Sequence, residues 1–226
     1  CSKTLVSIFV NPSQFNKKKD LKNYPVQIKK DISILLKLKV DYVLLPNVKD
    51  IYDNRNQMRI SIDKRDKVLC AYKRPGHFEG VLAVINQFLL KIKPKFIFLG
   101  EKDFQQLYLI NKFIKKKFKT KIITCKTIRE KSFLPFSSRN TLLSAKDFEK
   151  ASSISIILKD FYFLVKRNFK NIKKINEIKK IIKSKKVNLE YLEIRNKNNF
   201  SKKVNSKNFK IFIAYYLKSV RLIDNF

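Results

Sequence analysis

The stretch Lys95-Phe-Ile-Phe-Leu-Gly-Glu-Lys-Asp-Phe-Gln-Gln-Leu107 decides how the rest of the chain is interpreted. Four consecutive apolar residues, Phe96 to Leu99, stand between Lys-Pro-Lys and Gly100, which predicts a parallel strand covered on both faces. Beyond Gly100, Leu107, Ile110, Phe113 and Ile114 recur at helical spacing. A strand that turns at once into a helix puts its junction where open parallel sheets gather ligands. That junction carries Gly100, Glu101, Lys102, Asp103 and Gln106, and Lys102 and Gln106 share one helix face because they are four apart. A cation and an amide there suit an anionic substrate. The same residues also suit a surface lysine and dipole-favoured acids in a first helical turn, and this stretch alone does not choose between the two.

Working outward, the segments on the amino side repeat the same rhythm. A strand, Leu5-Val-Ser-Ile-Phe-Val10, ends in the polar turn Asn11-Pro-Ser-Gln-Phe15. A helix is predicted over 25–38, with Pro25 in its first turn and Ile28, Ile32, Leu35 and Leu36 as its apolar stripe. Strands follow over 42–45 and 59–62, then the turn Arg74-Pro-Gly-His-Phe-Glu-Gly80 into a helix reaching Leu90, and a strand over 121–124 beyond the central unit. This alternation is that of a parallel α/β layer. After Ile128 the alternation stops. A long loop, 129–140, precedes helices over 145–165 and 172–182 and strands over 189–194, 209–216 and 220–223, a small α+β unit. The boundary falls within 127–132, dividing the chain into domains 1–128 and 129–226.

Composition narrows the function classes. The chain has 226 residues, 44% of them hydrophobic, enough for a sizeable core. Its net charge of +34 invites a nucleic-acid or anionic-membrane interpretation. The excess is nearly all lysine, spread along the chain together with abundant Ile, Asn and Phe, the pattern of a bias towards A/T-rich codons. Runs such as Lys115-Lys116-Lys117 are then solvated faces, and nucleic acid is not an expected partner. Cys1, Cys70 and Cys125 are odd in number and widely spaced, so neither a disulfide framework nor a zinc site follows, and a reducing, cytoplasmic setting is expected. No apolar run reaches membrane-spanning length, and no membrane association is expected.

Several chemistries find no residues. His77 is the single histidine, and no Gly-x-Ser-x-Gly elbow surrounds a serine, so a nucleophilic triad is not supported. Three glycines, Gly76, Gly80 and Gly100, cannot write a dinucleotide or Walker fingerprint. What remains is a set of polar turns at strand ends: 11–14, 100–106 and 137–140.

Together these segments resemble the pantoate–β-alanine ligase (pantothenate synthetase) family. The resemblance rests on Val6-Ser-Ile-Phe-Val-Asn-Pro-Ser-Gln-Phe15, Arg74-Pro-Gly-His-Phe-Glu-Gly-Val81, Gly100-Glu-Lys-Asp-Phe-Gln-Gln106, Ser137-Ser-Arg-Asn140 and Arg221-Leu-Ile-Asp-Asn225, five motifs in order along the whole chain. It implies a Rossmann-like nucleotidylyltransferase domain of α/β class, followed by a small α+β carboxy-terminal lid domain. The implied reaction uses ATP and Mg²⁺ to activate (R)-pantoate as pantoyl-adenylate, releasing pyrophosphate, after which β-alanine displaces AMP. Carried over by position, Gln14 and Gln106 hold pantoate, with Gln14 also near β-alanine. Gly100, Glu101, Lys102, Asp103, Ile128, Phe136, Ser137, Ser138 and Arg139 form the ATP site, with Lys102 and Arg139 as its catalytic cations. The metal ligands stay unassigned, and the resemblance implies a homodimer.

The resemblance also implies departures. The family's His-x-Gly-His motif belongs before the strand that opens this sequence, so a first strand-helix unit is expected to be missing and the sheet to have a gap beside Val6 to Val10. Lys131, Ser132 and Phe133 stand where the family usually has an Asp-Gly turn, and Phe136 replaces the usual Met. An alternative from another class stays open: a catalytically inactive fragment or remnant with a non-specific, polyanion-binding basic surface.

Overall fold

The computed structural model of the protein describes residues 3–12, 21, 24–52 and 60–226. Two compact units arise: residues 1–63 with 74–94, and residues 64–73 with 95–226.

In the first unit a short strand β1 (Leu5–Ser7) pairs in parallel with β2 (Tyr42–Leu44), placing Val6 opposite Val43. Asp41 locks the start of this pair. Its carboxylate accepts from the Thr4 backbone N–H at 2.8 Å, the Thr4 hydroxyl at 2.8 Å and the Lys3 ammonium at 3.0 Å. Between the strands runs α1 (Ile28–Lys37), which begins three residues after Pro25 rather than on it. None of its residues is fully buried: Ile32 and Leu35 are half-buried while Ile28 and Leu36 are exposed, so the predicted apolar stripe is only partly covered among the described residues. The predicted strand over 59–62 does not form at residues 60–62, and Arg59 lies outside the described residues.

A short α2 (Val48–Ile51) follows β2, and later α4 (His77–Ile92) starts at Gly76, whose φ of 81° lies in the left-handed region where a side chain is strained. His77 is buried in the first turn of α4, with Nε2 3.0 Å from an Arg74 guanidinium nitrogen and its ring 4.8 Å from that of Phe78. Asn11 is also anchored: its amide donates to the Gly80 carbonyl at 3.2 Å and its oxygen accepts from the Tyr52 hydroxyl at 2.6 Å.

The second unit contains α3 (Leu69–Lys73), then β3 (Phe96–Gly100), a 3-10 turn over Glu101–Asp103, α5 (Phe104–Lys117) and β4 (Lys121–Cys125). β3 and β4 pair in parallel from Phe96 opposite Lys121 to Gly100 opposite Cys125. The prediction that β3 is covered on both faces fails here. Among the described residues it lies in a two-stranded sheet, and Phe98 is 60% exposed. An apolar run records what a strand can bury; how much it does bury depends on its neighbours.

The remainder is built on a three-stranded antiparallel sheet of order β5 (Asn188–Asn196), β6 (Phe209–Leu217), β7 (Val220–Asn225). The long helix α6 (Ala145–Arg167) is capped by Ser144, whose Oγ accepts from the Asp147 N–H at 3.2 Å and donates to its carboxylate at 2.7 Å. Its buried residues Ala151, Ile154, Leu158, Phe161 and Val165 follow helical spacing and pack with Ile211, Ile213 and Tyr215 of β6. The opposite face of β6 presents Phe212, which packs with Phe200 and Leu69, and with the partly buried Phe104 and Tyr108 of α5. β6 is therefore buried on both sides, as a central strand between two layers. The helix predicted over 172–182 is a 3-10 turn (Phe169–Lys174) followed by α7 (Ile175–Ser184).

Candidate active site

The turn after β3 is shaped by a division of labour between two adjacent glutamines. Gln105 is 6% exposed, and its amide donates to the carbonyls of Val68 at 2.8 Å and Asp66 at 3.2 Å. It is spent on holding the segment before α3 against α5. Gln106, one residue on and half-buried, points from another side of the helix and has no partner among the described residues. Gly100 has an ordinary extended backbone, φ −72° and ψ 136°, and a Cβ built there would meet nothing within 4 Å. Its lack of a side chain answers no backbone demand and leaves open space beside the turn.

The charges of the turn are sorted in the same way. The Glu101 carboxylate pairs with the Lys210 ammonium at 3.1 Å, and Lys210 also lies over the Phe104 ring at 4.6 Å. Burial pulls the Lys210 ammonium below the usual lysine range, and Glu101 draws it back up. Lys102 makes no ion pair among the described residues. Asp103 is exposed and makes no side-chain cap on α5.

The segment predicted as a long loop is a tight hairpin. Arg129 bridges Pro135, the Glu130 N–H donates to Leu134 at 2.8 Å and the Phe136 N–H to Ile128 at 3.1 Å. Its turn needs a left-handed residue, and Phe133 supplies it with φ of 70° at the position where a glycine costs less. The Phe133 ring stacks on Phe226 with centroids 6.2 Å apart, and the Arg129 guanidinium lies 4.3 Å from the Phe226 centroid. Ile128 and Phe136 are held side by side and are 69% and 52% exposed, an apolar pair facing outward. Ser137 then caps a 3-10 helix (Ser138–Leu142), its Oγ accepting from the Arg139 N–H at 3.3 Å.

Lys102, Ser137, Arg139 and Asn140 line one small pocket, joined by Arg221 and Asp224 from β7. The pocket thus joins two segments that the sequence holds 35 residues apart. Gly100, Glu101 and Asp103 adjoin Lys102 in the chain, and Phe136 and Ser138 adjoin Ser137, but none of the five lines the pocket. Gln14 lies outside the described residues.

The terminal Arg221–Asn225 motif is recognisable in the sequence but has no role to go with it there; its partners are distant in the chain. Asp224 takes a two-pronged ion pair from Arg129 at 2.8 and 2.9 Å. Burial pushes the Asp224 carboxyl above its ordinary range, and the Arg129 fork pulls it back. Arg221 is held by Glu190 and lies 3.3 Å from Cys70 Sγ, itself 3.0 Å from the Tyr191 hydroxyl. Burial raises the Tyr191 phenol well above its usual value, so it stays neutral in this cluster. No three His, Cys, Asp or Glu side chains converge on a metal-sized site among the described residues.

In sequence and fold the chain is similar to proteins of one kind. A family model described as pantoate-beta-alanine ligase matches residues 1–226. The pantothenate synthetase of Francisella philomiragia is 41% identical over 225 residues, covering 99% of this chain and 78% of the relative. A crystal structure of pantoate-beta-alanine ligase from Francisella tularensis, complexed with beta-gamma ATP and beta-alanine, is 40% identical with a TM-score of 0.84, over 99% of this chain and 78% of that one. Pantothenate synthetase from Thermus thermophilus reaches a TM-score of 0.89 at 26% identity, over 99% of this chain and 83% of that one.

Proposed function

The chain belongs to the pantoate–β-alanine ligase family, and from that premise we propose that it joins pantoate to β-alanine, with ATP cleaved to AMP and pyrophosphate through a pantoyl-adenylate. The observation that carries this is the convergence of Lys102, Ser137 and Arg139 on one pocket; the Gln106 carboxamide, four residues on from Lys102, is used by no protein group among the described residues.

In the first step a pantoate carboxylate oxygen attacks the α-phosphorus of ATP. The bond from that phosphorus to the bridging oxygen breaks, and pyrophosphate leaves with the electron pair. Charge grows on the departing phosphates, and Lys102 and Arg139 are the fixed cations that meet it. Ser137 and Ser138 offer hydroxyls to phosphate oxygens. Gly100 leaves room for the nucleotide beside the turn, Glu101 and Asp103 frame it, and Ile128 with Phe136 gives the adenine an apolar surface. Gln106, with Gln14, orients pantoate by hydrogen bonds that leave its carboxylate nucleophilic. In the second step the neutral β-alanine amine, guided by Gln14, attacks the acyl carbon, the acyl–oxygen bond breaks, and AMP departs. The proton shed by the amine goes to water. No protein nucleophile is needed, in keeping with the lack of a triad in the sequence.

The division we assign by role is 1–128 for nucleotide and pantoate binding and 129–226 for the ATP loop and lid. Mg²⁺ travels with nucleotide phosphates and takes few protein ligands, and its ligands in this chain are not assigned. A cytoplasmic homodimer belongs to the same proposal and is supported by the family resemblance.

The test is formation of pantothenate and AMP by the protein with each substrate omitted in turn. AMP should require pantoate and β-alanine together with ATP, and Lys102→Ala should lower kcat/KM by roughly 10²-fold or more. ATP cleavage indifferent to pantoate, or a folded Lys102→Ala variant of full activity, would overturn the assignment.

A further inference from the structure

The proposed chemistry makes no use of the buried end of β7, yet that end touches both segments of the phosphate pocket. The Asn225 carboxamide donates to the Lys102 carbonyl at 2.8 Å and to the Glu101 carbonyl at 3.1 Å. Both of its N–H groups are therefore committed to successive carbonyls of the turn that carries Lys102. On its other side, the Asn225 carbonyl accepts from Arg129 at 3.2 Å, and the same guanidinium forks onto Asp224. Arg129 opens the hairpin that leads to Ser137 and Arg139. Asp224 and Asn225 are each 6% exposed, so these bonds lie out of water. The pairing of Phe212 with Asn225 across β6 and β7 sets which face Asn225 presents, towards the turn before α5.

A carboxamide suits the position for a physical reason. Two carbonyl oxygens need two donors, and a carboxylate there would set oxygen against oxygen. The Lys102 ammonium makes no ion pair among the described residues and feels only the longer-range attraction of the Asp224 carboxylate across the pocket, so where its backbone is held sets where it sits.

We propose that Asn225 is a positioning residue for Lys102, fixing the turn at 101–103 at a set distance from the Ser137–Arg139 segment, with the Arg129–Asp224 pair as its anchor. This rests on the proposed role of Lys102 at the ATP phosphates. A misplacement near 1 Å costs up to about 10²-fold in such sites, so truncation of Asn225 should weaken ATP handling by about tenfold to a hundredfold.

Calorimetric ATP binding to the folded full chain, at fixed Mg²⁺ and salt, separates the possibilities. The set is Lys102→Ala, Asn225→Ala, Asn225→Ser, the double variant Lys102→Ala with Asn225→Ala, and Ile182→Val, a buried change in α7 that lowers the thermal midpoint without touching the turn. Asn225→Ala should weaken ATP about tenfold or more and Asn225→Ser less. The double variant should bind no more weakly than Lys102→Ala alone, because both changes act through one group. Ile182→Val should bind as the parent does. Amide exchange over 101–105 should speed up in the Asn225 variants and not in Ile182→Val. If Lys102→Ala weakens binding while the folded Asn225 variants match the parent, or if the two changes add fully, the inference fails and the role of Lys102 stands. If the parent's binding is indifferent to Lys102→Ala, the phosphate role fails and Asn225 falls with it. Should Asn225→Ala not fold, Asn225→Ser carries the same comparison.

Discussion

Gln105 and Gln106 illustrate how much one residue of offset matters. The sequence offers two identical side chains; the helix sends one into carbonyls of the preceding segment and leaves the other unengaged among the described residues. Gln105→Ala would remove two hydrogen bonds and leave the Asp66 and Val68 carbonyls with only their backbone donors, at about 1–3 kcal/mol of stability for the pair, with little change in KM for pantoate. Gln106→Ala should do the reverse: a thermal midpoint near the parent's and a KM for pantoate raised about tenfold or more. Steady-state kinetics beside thermal unfolding read both, and a stability loss confined to Gln106→Ala would contradict the assignment. At this scale the sequence is informative where residues act locally. Lys102 and Ser137 stand out because each sits in a turn next to a strand or helix. Arg129 does not, and Asp224 and Asn225 stand out only as part of a motif without a role, since a two-pronged ion pair spanning 95 positions leaves no local pattern. The sequence groups Glu101 with the nucleotide contacts, whereas its carboxylate is already taken by Lys210, another partner remote in sequence.

Among elements, periodicity locates the helices and strands well and their surroundings poorly. α6 and the β5–β6–β7 meander lie where apolar spacing predicts them, because each buries its stripe against the other. The patterns of β3 and α1 are equally clear, yet Phe98 and Leu36 are exposed, since period reports capacity for burial and only neighbours realise it. The hairpin within 129–140 is hidden in the sequence because its turn uses Phe133 in a left-handed conformation, which no turn rule signals. The β1–β2 pair carries a pH signature of its own. The Thr4 backbone N–H first, then Lys3 and the Thr4 hydroxyl, hold the Asp41 carboxyl down to about 2 from an ordinary 3.8. A depressed carboxylate stabilises above its ordinary value and loses that contribution as the pH falls through its folded value. The stability difference between the parent and Asp41→Asn should therefore be constant above about pH 4 and shrink towards zero by about pH 2. Denaturation midpoints at stepped pH test it; a difference that does not change across that interval would show that Asp41 is not held this way.

At the scale of the molecule, the family is shown by a match over residues 1–226, and five short motifs carry the same resemblance in the sequence, whereas the net charge of +34 by itself assigns no function. Where they are described, those motifs fall at the ends of β1 and β3, at the start of α4, on a 3-10 cap and along β7. No helix among the described residues is long and apolar enough to cross a membrane. The two-unit organisation is less legible: residues 64–73 pack with the second unit through Gln105 and Leu69, across a stretch of chain that returns to the first. Ligation by this route makes one demand on the whole molecule, that the acid is activated at its own carboxylate before the amine arrives. Pantoate labelled with ¹⁸O in its carboxylate tests it most directly, with AMP, pyrophosphate and pantothenate recovered from a single turnover with β-alanine. A pantoyl-adenylate requires one labelled oxygen to leave in AMP, with none in pyrophosphate. Label absent from AMP, or present in the released pyrophosphate, would mean that the carboxylate never bonded to the α-phosphorus, and the acyl-adenylate route would be wrong.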